Sequence, residues 1–223
     1  MTRLRAVIFD LDGTLIDSLA DLAASMNAVL AAEGLPGHQT SSYKLFIGDG
    51  VANLVRRALA QPTSDPQTLE RCLKAMRCEY AKRYLDTTRL YDGIAALLDT
   101  LSSSGVPMNV LSNKPQHMTC RLVEELLASW SFVQVLGAAP EYPRKPDPRA
   151  ALAIAKTIAV EPSEVLYLGD TGTDMATATA AGMYAVGATW GFRESQELLA
   201  AGADKLVQHP SEVESILQAS QPD

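Results

Sequence analysis

The chain has 223 residues, 47% hydrophobic and 20% charged, enough for one large domain or a core carrying a smaller insert. A formal net charge of −7, a pI near 5.0 and the lack of any Lys/Arg run speak against a nucleic-acid partner. Cys72, Cys78 and Cys120 have neither zinc spacing nor a neighbouring histidine. They are expected as reduced thiols, and with no run long enough for a signal peptide or a membrane span, the expectation is a cytoplasmic protein.

Residues 4–9 read as a buried strand, a short apolar run broken only by Arg5. It ends in Asp10, with Asp12, Gly13 and Thr14 directly after. Helical periodicity follows over 18–35, stopped by Gly34. No strand is expected between about 36 and 87; helices are expected over 50–61 and over 65–85, the second opened by Asp65-Pro66. From Tyr91 onward helix and strand alternate: GIAALLDTLSSSG, VPMNVL, PQHMTCRLVEELLA, FVQVLG, PRAALAIAKTIA, EVLYLG, TDMATATAAG, YAVGAT, SQELLAAG, KLVQ and PSEVESIL. That order predicts an α/β fold, a doubly wound parallel sheet with ligands at the carboxyl ends of its strands. The helical block after the first strand becomes an insert over that end.

Four polar clusters fall just beyond expected strand ends. Two carboxylates as close as Asp10 and Asp12 repel unless a cation or an extra proton sits with them; the alternative is a polar turn closed by Gly13. In LSNKP, Ser112 closes a strand and Pro115 is expected at the first helical position, so hydroxyl and free amides form either an anion site or an ordinary cap. In YPRKPDP, Pro143, Pro146 and Pro148 stiffen the chain around Lys145, a fixed charge or a solvated loop. In YLGDTGTD, Asp170 ends a strand, and Asp174 lies in a first helical turn where it could simply complement the dipole. Taken together, carboxylates from separate strands suit Mg²⁺, while lysine, hydroxyl and amides suit a phosphoryl group. One aspartate would then be a nucleophile and the other a proton shuttle.

FDLDGTL, LSN, RKPDP and GDTGTD, in this order, resemble the four motifs of the haloacid dehalogenase superfamily. FIGDGVANLVRRAL, ATWGF and ELLAAGADKLVQHPSEV are similar to the phosphoglycolate phosphatase-like group within it. The resemblance implies a Rossmann-like core of residues 1–15 and 88–223 and a helical cap of 16–87. It implies that Asp10 forms an aspartyl-phosphate and binds Mg²⁺, and that Asp12 handles the proton while its carbonyl reaches the metal. Ser112 and the Asn113 amide would hold phosphate, and Lys145 would neutralise charge. Asp170 would ligate the metal with Asp174 in support, and Thr14 would orient the loop. An acid at Asp12 implies a phosphatase or phosphomutase, and Thr14 favours hydrolysis.

The implied partner is a small-molecule phosphate ester, phosphoglycolate first, with sugar phosphates and pyrophosphate as alternatives. No nucleic acid or membrane partner is expected, and the chain would act as a monomer or homodimer. Arg56 and Arg57 are candidates for reading a substrate carboxylate, against the alternative of solvated helix arginines, and Tyr43 and Lys44 are weaker ones. His38, His117 and His209 lie outside every cluster and receive no role. The rivals are a hexose-phosphate mutase and a non-catalytic binding protein; the intact acids argue against the second.

Overall fold

The computed structural model describes residues 3–59 and 65–220. Its centre is a parallel sheet of six strands in the order β5-β4-β1-β6-β7-β8. These are β1 (Ala6–Phe9), β4 (Met108–Pro115), β5 (Phe132–Ala138), β6 (Val165–Gly169), β7 (Tyr184–Ala188) and β8 (Lys205–Val207). β1 pairs with β4 on one side and β6 on the other. Its four residues are fully buried, which is why it reads as an unbroken apolar run rather than an alternating one. Alternation survives in the packing. Val7 and Phe9 face one core with Val110, Leu166 and Leu168, whereas Ala6 and Ile8 face another with Leu111, Val165 and Tyr167.

Helices cover both faces. The first face carries Leu97 and Leu98 of α4 (Ile94–Ser103), Leu122 of α5 (Gln116–Leu126) and Val213 of α9 (Ser211–Ala219). The second carries Ile154 of α6 (Arg149–Thr157), Met175 of α7 (Gly172–Ala181) and Leu198 of α8 (Ser195–Ala200). The chain builds outward from β1 through β4 to β5, then crosses back to β6 and on to β8. The switch in direction therefore falls at the carboxyl ends of β4, β1 and β6, where such sheets bind ligands.

The insert after β1 contains α1 (Leu19–Ala32), a short 3-10 helix (Thr40–Leu45), α2 (Val51–Ala58) and α3 (Pro66–Arg83). Asp65 caps α3 by accepting from the Gln67 and Thr68 amides, and Pro66 takes its first position. Met26, Val29, Tyr43, Leu54, Val55 and Met76 join these helices in a cluster continuous with the first face of the sheet. Two features escape sequence reading. One is the 3-10 helix. The other is a two-stranded ribbon in which β2 (Ile16–Asp17) pairs antiparallel with β3 (Arg89–Leu90), tying the chain's exit to its return. Beside it the buried Asp21 accepts five hydrogen bonds of 2.6 to 3.0 Å from the amides and hydroxyls of Thr87 and Thr88. Burial alone would raise the Asp21 carboxyl, but these donors overcome it and hold it below its ordinary range.

The helix expected over 50–61 begins at Val51 and ends at Ala58; residues 60 and 61 lie outside the described ones. β4 runs on to Pro115, four residues beyond the expected VPMNVL strand, and α5 starts at Gln116. Pro115 is therefore a cap residue, not the first helical residue. Ser112 and Asn113 lie in extended chain instead of at a helix start.

Candidate active site

Asp10 directly follows β1, Asp170 directly follows β6, and Ser112 lies in the last half of β4. Between Leu111 and Pro115 the β4 register slips against β5, so Ser112 to Lys114 stand opposite Gly137 alone. Such a bulge re-aims side chains at the rim of a sheet. Lys145 arrives from the loop before α6. Its ammonium lies 2.8 Å from Asp10 Oδ1, 2.6 Å from Asp174 Oδ1 and 3.0 Å from the Leu111 carbonyl. All three N–H donors of the ammonium are thereby used, and the charge is fixed rather than mobile.

Asp174 is completely buried at the third position of α7. It and Thr171 cap the helix reciprocally, Asp174 accepting from the Thr171 amide and hydroxyl. Its second oxygen faces Lys145, so the residue does more than complement the helix dipole. Asp170, also fully buried, accepts from the Thr14 hydroxyl at 3.0 Å and from the Phe192 amide at 2.8 Å. Thr14 thus orients the loop against Asp170. Gly13, at φ +92°, passes so close that a Cβ would lie 2.2 Å from the Asp170 carboxylate; only glycine fits there.

The electrostatics follow from this crowding. Burial first, then the Asp174 charge, pushes the Asp10 carboxyl up to about 7, with Lys145 pulling the other way. Burial and the neighbouring Asp10 and Asp174 drive Asp170 well above its ordinary value. Burial would lower Lys145, but the same two carboxylates outweigh it and hold the ammonium charged well above its usual range. Asp10, Asp170 and Asp174 can each bring one oxygen within 4.8 Å of the others, with a single ammonium to balance them. A surplus of buried negative charge with oxygen donors only fits a hard divalent cation such as Mg²⁺, not a thiolate or imidazole metal.

Asp12 points elsewhere. Its carboxylate accepts from Ser18 Oγ at 2.5 Å and is gripped by the buried Lys114 ammonium at 2.8 Å to each oxygen. Lys114 also lies 4.6 Å from the centre of the Tyr80 ring of α3, in cation–π range. Burial works against the Lys114 charge, yet Asp12 and Tyr80 hold the ammonium above its ordinary range. Lys114 belongs to LSNKP, one residue past the two singled out by sequence. Its pairing across to Asp12 depends on the β4 bulge, which no local pattern announces.

A cavity of about 100 Å³ opens beside Asp10, Asp12 and Ser112, roofed by α2 and α3. The loop before α2 is tied to β4, to α7 and to the segment between β7 and α8 by three hydrogen bonds. Asn113 Nδ2 donates to the Gly48 carbonyl at 3.1 Å, Thr173 Oγ1 to Asp49 at 2.8 Å and Arg193 Nη2 to the Ile47 carbonyl at 2.8 Å. Asn113 Oδ1 also accepts from the Lys145 amide at 2.9 Å, so this side chain joins the Lys145 loop to the roof.

Four sequence expectations look different in space. Arg56 is exposed and bonds to Asn53; Arg57 is exposed and pairs with Asp49 and the Leu45 and Phe46 carbonyls. Neither lines the cavity. Tyr43 is buried on Asn27, and Lys44 is exposed away from the cavity. His117, given no role from sequence, does line the cavity, from the first turn of α5. Arg77 and Tyr80 line it from α3. The cysteines are free, with Cys72 buried and Cys78 exposed. No described helix is long and apolar enough to cross a membrane.

The chain matches the family model for haloacid dehalogenase-like hydrolases over residues 7–188. It is 34% identical over 201 residues to phosphoglycolate phosphatase 1 of Pseudomonas aeruginosa, covering 88% of this chain and 74% of that one. It is 30% identical over 221 residues to a phosphoglycolate phosphatase of Chromobacterium violaceum, covering 98% of each. A crystal structure from Lactobacillus delbrueckii subsp. bulgaricus, provisionally described as a phosphoglycolate phosphatase, superposes with a TM-score of 0.91 at 30% identity. It covers 97% of this chain and 99% of its own.

Proposed function

The chain belongs to the haloacid dehalogenase-like hydrolases, and from that premise we propose that it is a Mg²⁺-dependent phosphatase that works through Asp10, with 2-phosphoglycolate as its leading substrate. The observation that carries the reading is the separation of its carboxylates. Asp10, Asp170 and Asp174 crowd around Lys145, while Asp12 is held apart by Lys114 and Ser18. A nucleophile beside a cation site and a separate proton-handling acid are what a two-step phosphoryl transfer requires. The substrate name rests on the curated relatives from Pseudomonas and Chromobacterium.

In this mechanism Asp10 attacks phosphorus in line, the ester P–O bond breaks, and Asp12 delivers its proton to the departing alkoxide. Asp12 then takes a proton from water as that water attacks phosphorus, breaking the bond to Asp10 and releasing phosphate. Lys145 keeps the Asp10 charge balanced, and Ser112 with the Asn113 amide holds the phosphoryl oxygens. Asp10, the Asp12 carbonyl and Asp170 would hold Mg²⁺, with Asp174 supporting. The ion would neutralise phosphoryl charge that one lysine cannot balance alone. Residues 16–87 act as a cap that excludes water over a core of 1–15 and 88–223.

Phosphate release would be measured with Mg²⁺ and with EDTA, across phosphoglycolate, sugar phosphates, nucleotides and pyrophosphate. The expected result is EDTA-sensitive release, greatest with phosphoglycolate. Isomerisation of a hexose phosphate without net release would reject hydrolysis in favour of a mutase, and preference for another ester would reject the substrate.

A further inference from the structure

The cavity's roof presents a hydroxyl whose proton no described residue accepts. Tyr80 is 6% exposed, lines the cavity, and its hydroxyl has no hydrogen-bond partner among the described residues. A buried, unpaired hydroxyl costs about 1–3 kcal/mol and points to an acceptor supplied from outside the chain. Burial pushes this phenol up to about 12, so it remains a donor throughout the working range. Beside it, Lys114 spends two of its three donors on Asp12. The third faces Tyr80, so the ammonium and the phenol border the same space.

Around these two donors the wall is apolar, formed by Leu22, Val51, Leu54, Met76 and Met118. Arg77 stands one position from Met76 on the same stretch of α3 and lines the outer part of the cavity. It has no ion-pair or hydrogen-bond partner among the described residues, whereas Arg56, Arg57, Arg71 and Arg83 each have one. Among the described residues, the only carboxylates lining the cavity are Asp10 and Asp12, both engaged by lysines. Beyond the reacting groups, the charge offered to a leaving group is therefore positive.

We propose that Tyr80 Oη and Lys114 Nζ form a leaving-group subsite for a carboxylate, with Arg77 as its outer cation. Position supplies the argument for a short 2-hydroxy acid. Asp12 must reach the ester oxygen to protonate it, and Lys114 touches both oxygens of Asp12. A carboxylate whose carbon is two bonds from the ester oxygen falls within reach of the same ammonium. A neutral alcohol would leave the Tyr80 hydroxyl unpaired. Specificity by buried donors of this kind is stronger than by apolar contact, because the wrong ligand leaves them unsatisfied. The subsite rests on the proposed phosphatase reading and supplies its substrate class.

The test compares phosphoglycolate with ethyl phosphate in the wild type and in Tyr80→Phe, a change that removes only the hydroxyl. The expected result is a fall of about tenfold or more in kcat/KM for phosphoglycolate, mostly through KM, and less than a twofold change for ethyl phosphate. Equal effects on both esters, or none on either, overturn the subsite. Arg77→Ala, on the exposed side of α3, should raise KM for phosphoglycolate alone. Glycolate titrated calorimetrically into both proteins decides the matter independently of turnover: binding weakened by Tyr80→Phe supports the subsite, and equal binding overturns it. Should neither ester release phosphate in the wild type, the phosphatase reading fails, and the glycolate titration still judges the subsite.

Discussion

The floor and the roof of the cavity are built on opposite principles. The floor, at the ends of β1, β4 and β6, buries Asp10, Asp170, Asp174 and Lys145; Lys145, Asp170 and Asp174 are each held by several partners, and Asp10 is paired with Lys145. The roof, from α2 and α3, is mostly apolar and contributes a few cationic or phenolic groups with donors to spare. A phosphoryl group is the same in every ester, so its half of a site can be rigid and fully wired. The leaving group varies, and the half that reads it keeps polar groups unpaired until a ligand arrives. Electrostatic stabilisation and substrate selection thus reside on separate elements of one fold.

The sharpest way to break this comparison is Asp10→Asn. Activity should drop by about 10⁴-fold or more, as expected when a nucleophile is lost. The melting temperature should hold or rise, because the substitution removes a crowded buried charge. A large drop in melting temperature would mean that Asp10 serves structure first.

Next in size is the tie at the base of the insert, where α1 meets the chain returning to β3. Asp21→Ala removes the acceptor for five hydrogen bonds and should cost about 2–3 kcal/mol in urea unfolding at neutral pH. Because the folded Asp21 carboxyl is depressed, its contribution is fully present above the ordinary value of 3.8 and is lost as pH falls through the folded value. The variant and the wild type should converge in acid. A difference that persists at low pH would contradict this.

Lys114 stands where floor and roof meet. Lys114→Met should lower kcat on phosphoglycolate and on ethyl phosphate alike, by about 10–100-fold, since Asp12 loses its positioning partner. It should raise KM only for phosphoglycolate. A KM effect shared by both esters would separate Lys114 from the leaving group.

The smallest effect concerns the metal and pH. With Asp10 raised to about 7, the folded metal-free protein binds this proton more tightly than the unfolded chain does. This group therefore makes stability fall as pH climbs from its ordinary value of 3.8 towards about 7, and level off above. Mg²⁺ competes with that proton, so it should raise the melting temperature by a few degrees more at about pH 8 than at about pH 5.5. An equal shift at both values would count against Asp10 as a ligand.

The sheet was legible in the sequence because parallel strands buried on both faces leave short apolar runs, and β1, β6 and β7 are of this kind. The floor was legible for the same reason: Asp10 and Asp170 each stand immediately after such a run. What sequence could not supply was pairing across space. Lys114 reaches Asp12 through a bulge, and His117 comes over the cavity only because β4 runs on to Pro115. Arg56 and Arg77 look alike as amphipathic-helix arginines. Which of them meets the cavity is set by how α2 and α3 pack on each other, a property of tertiary contacts alone.

The central claim is that Asp10 carries the phosphoryl group. Enzyme mixed with phosphoglycolate and Mg²⁺ would be quenched in acid within a turnover and the Asp10 peptide weighed by mass spectrometry. The account predicts the added mass of one phosphoryl group on Asp10, and more of it in Asp12→Asn, where hydrolysis of the intermediate is slowed. Turnover at the full rate with that peptide unmodified, in both proteins, would contradict it.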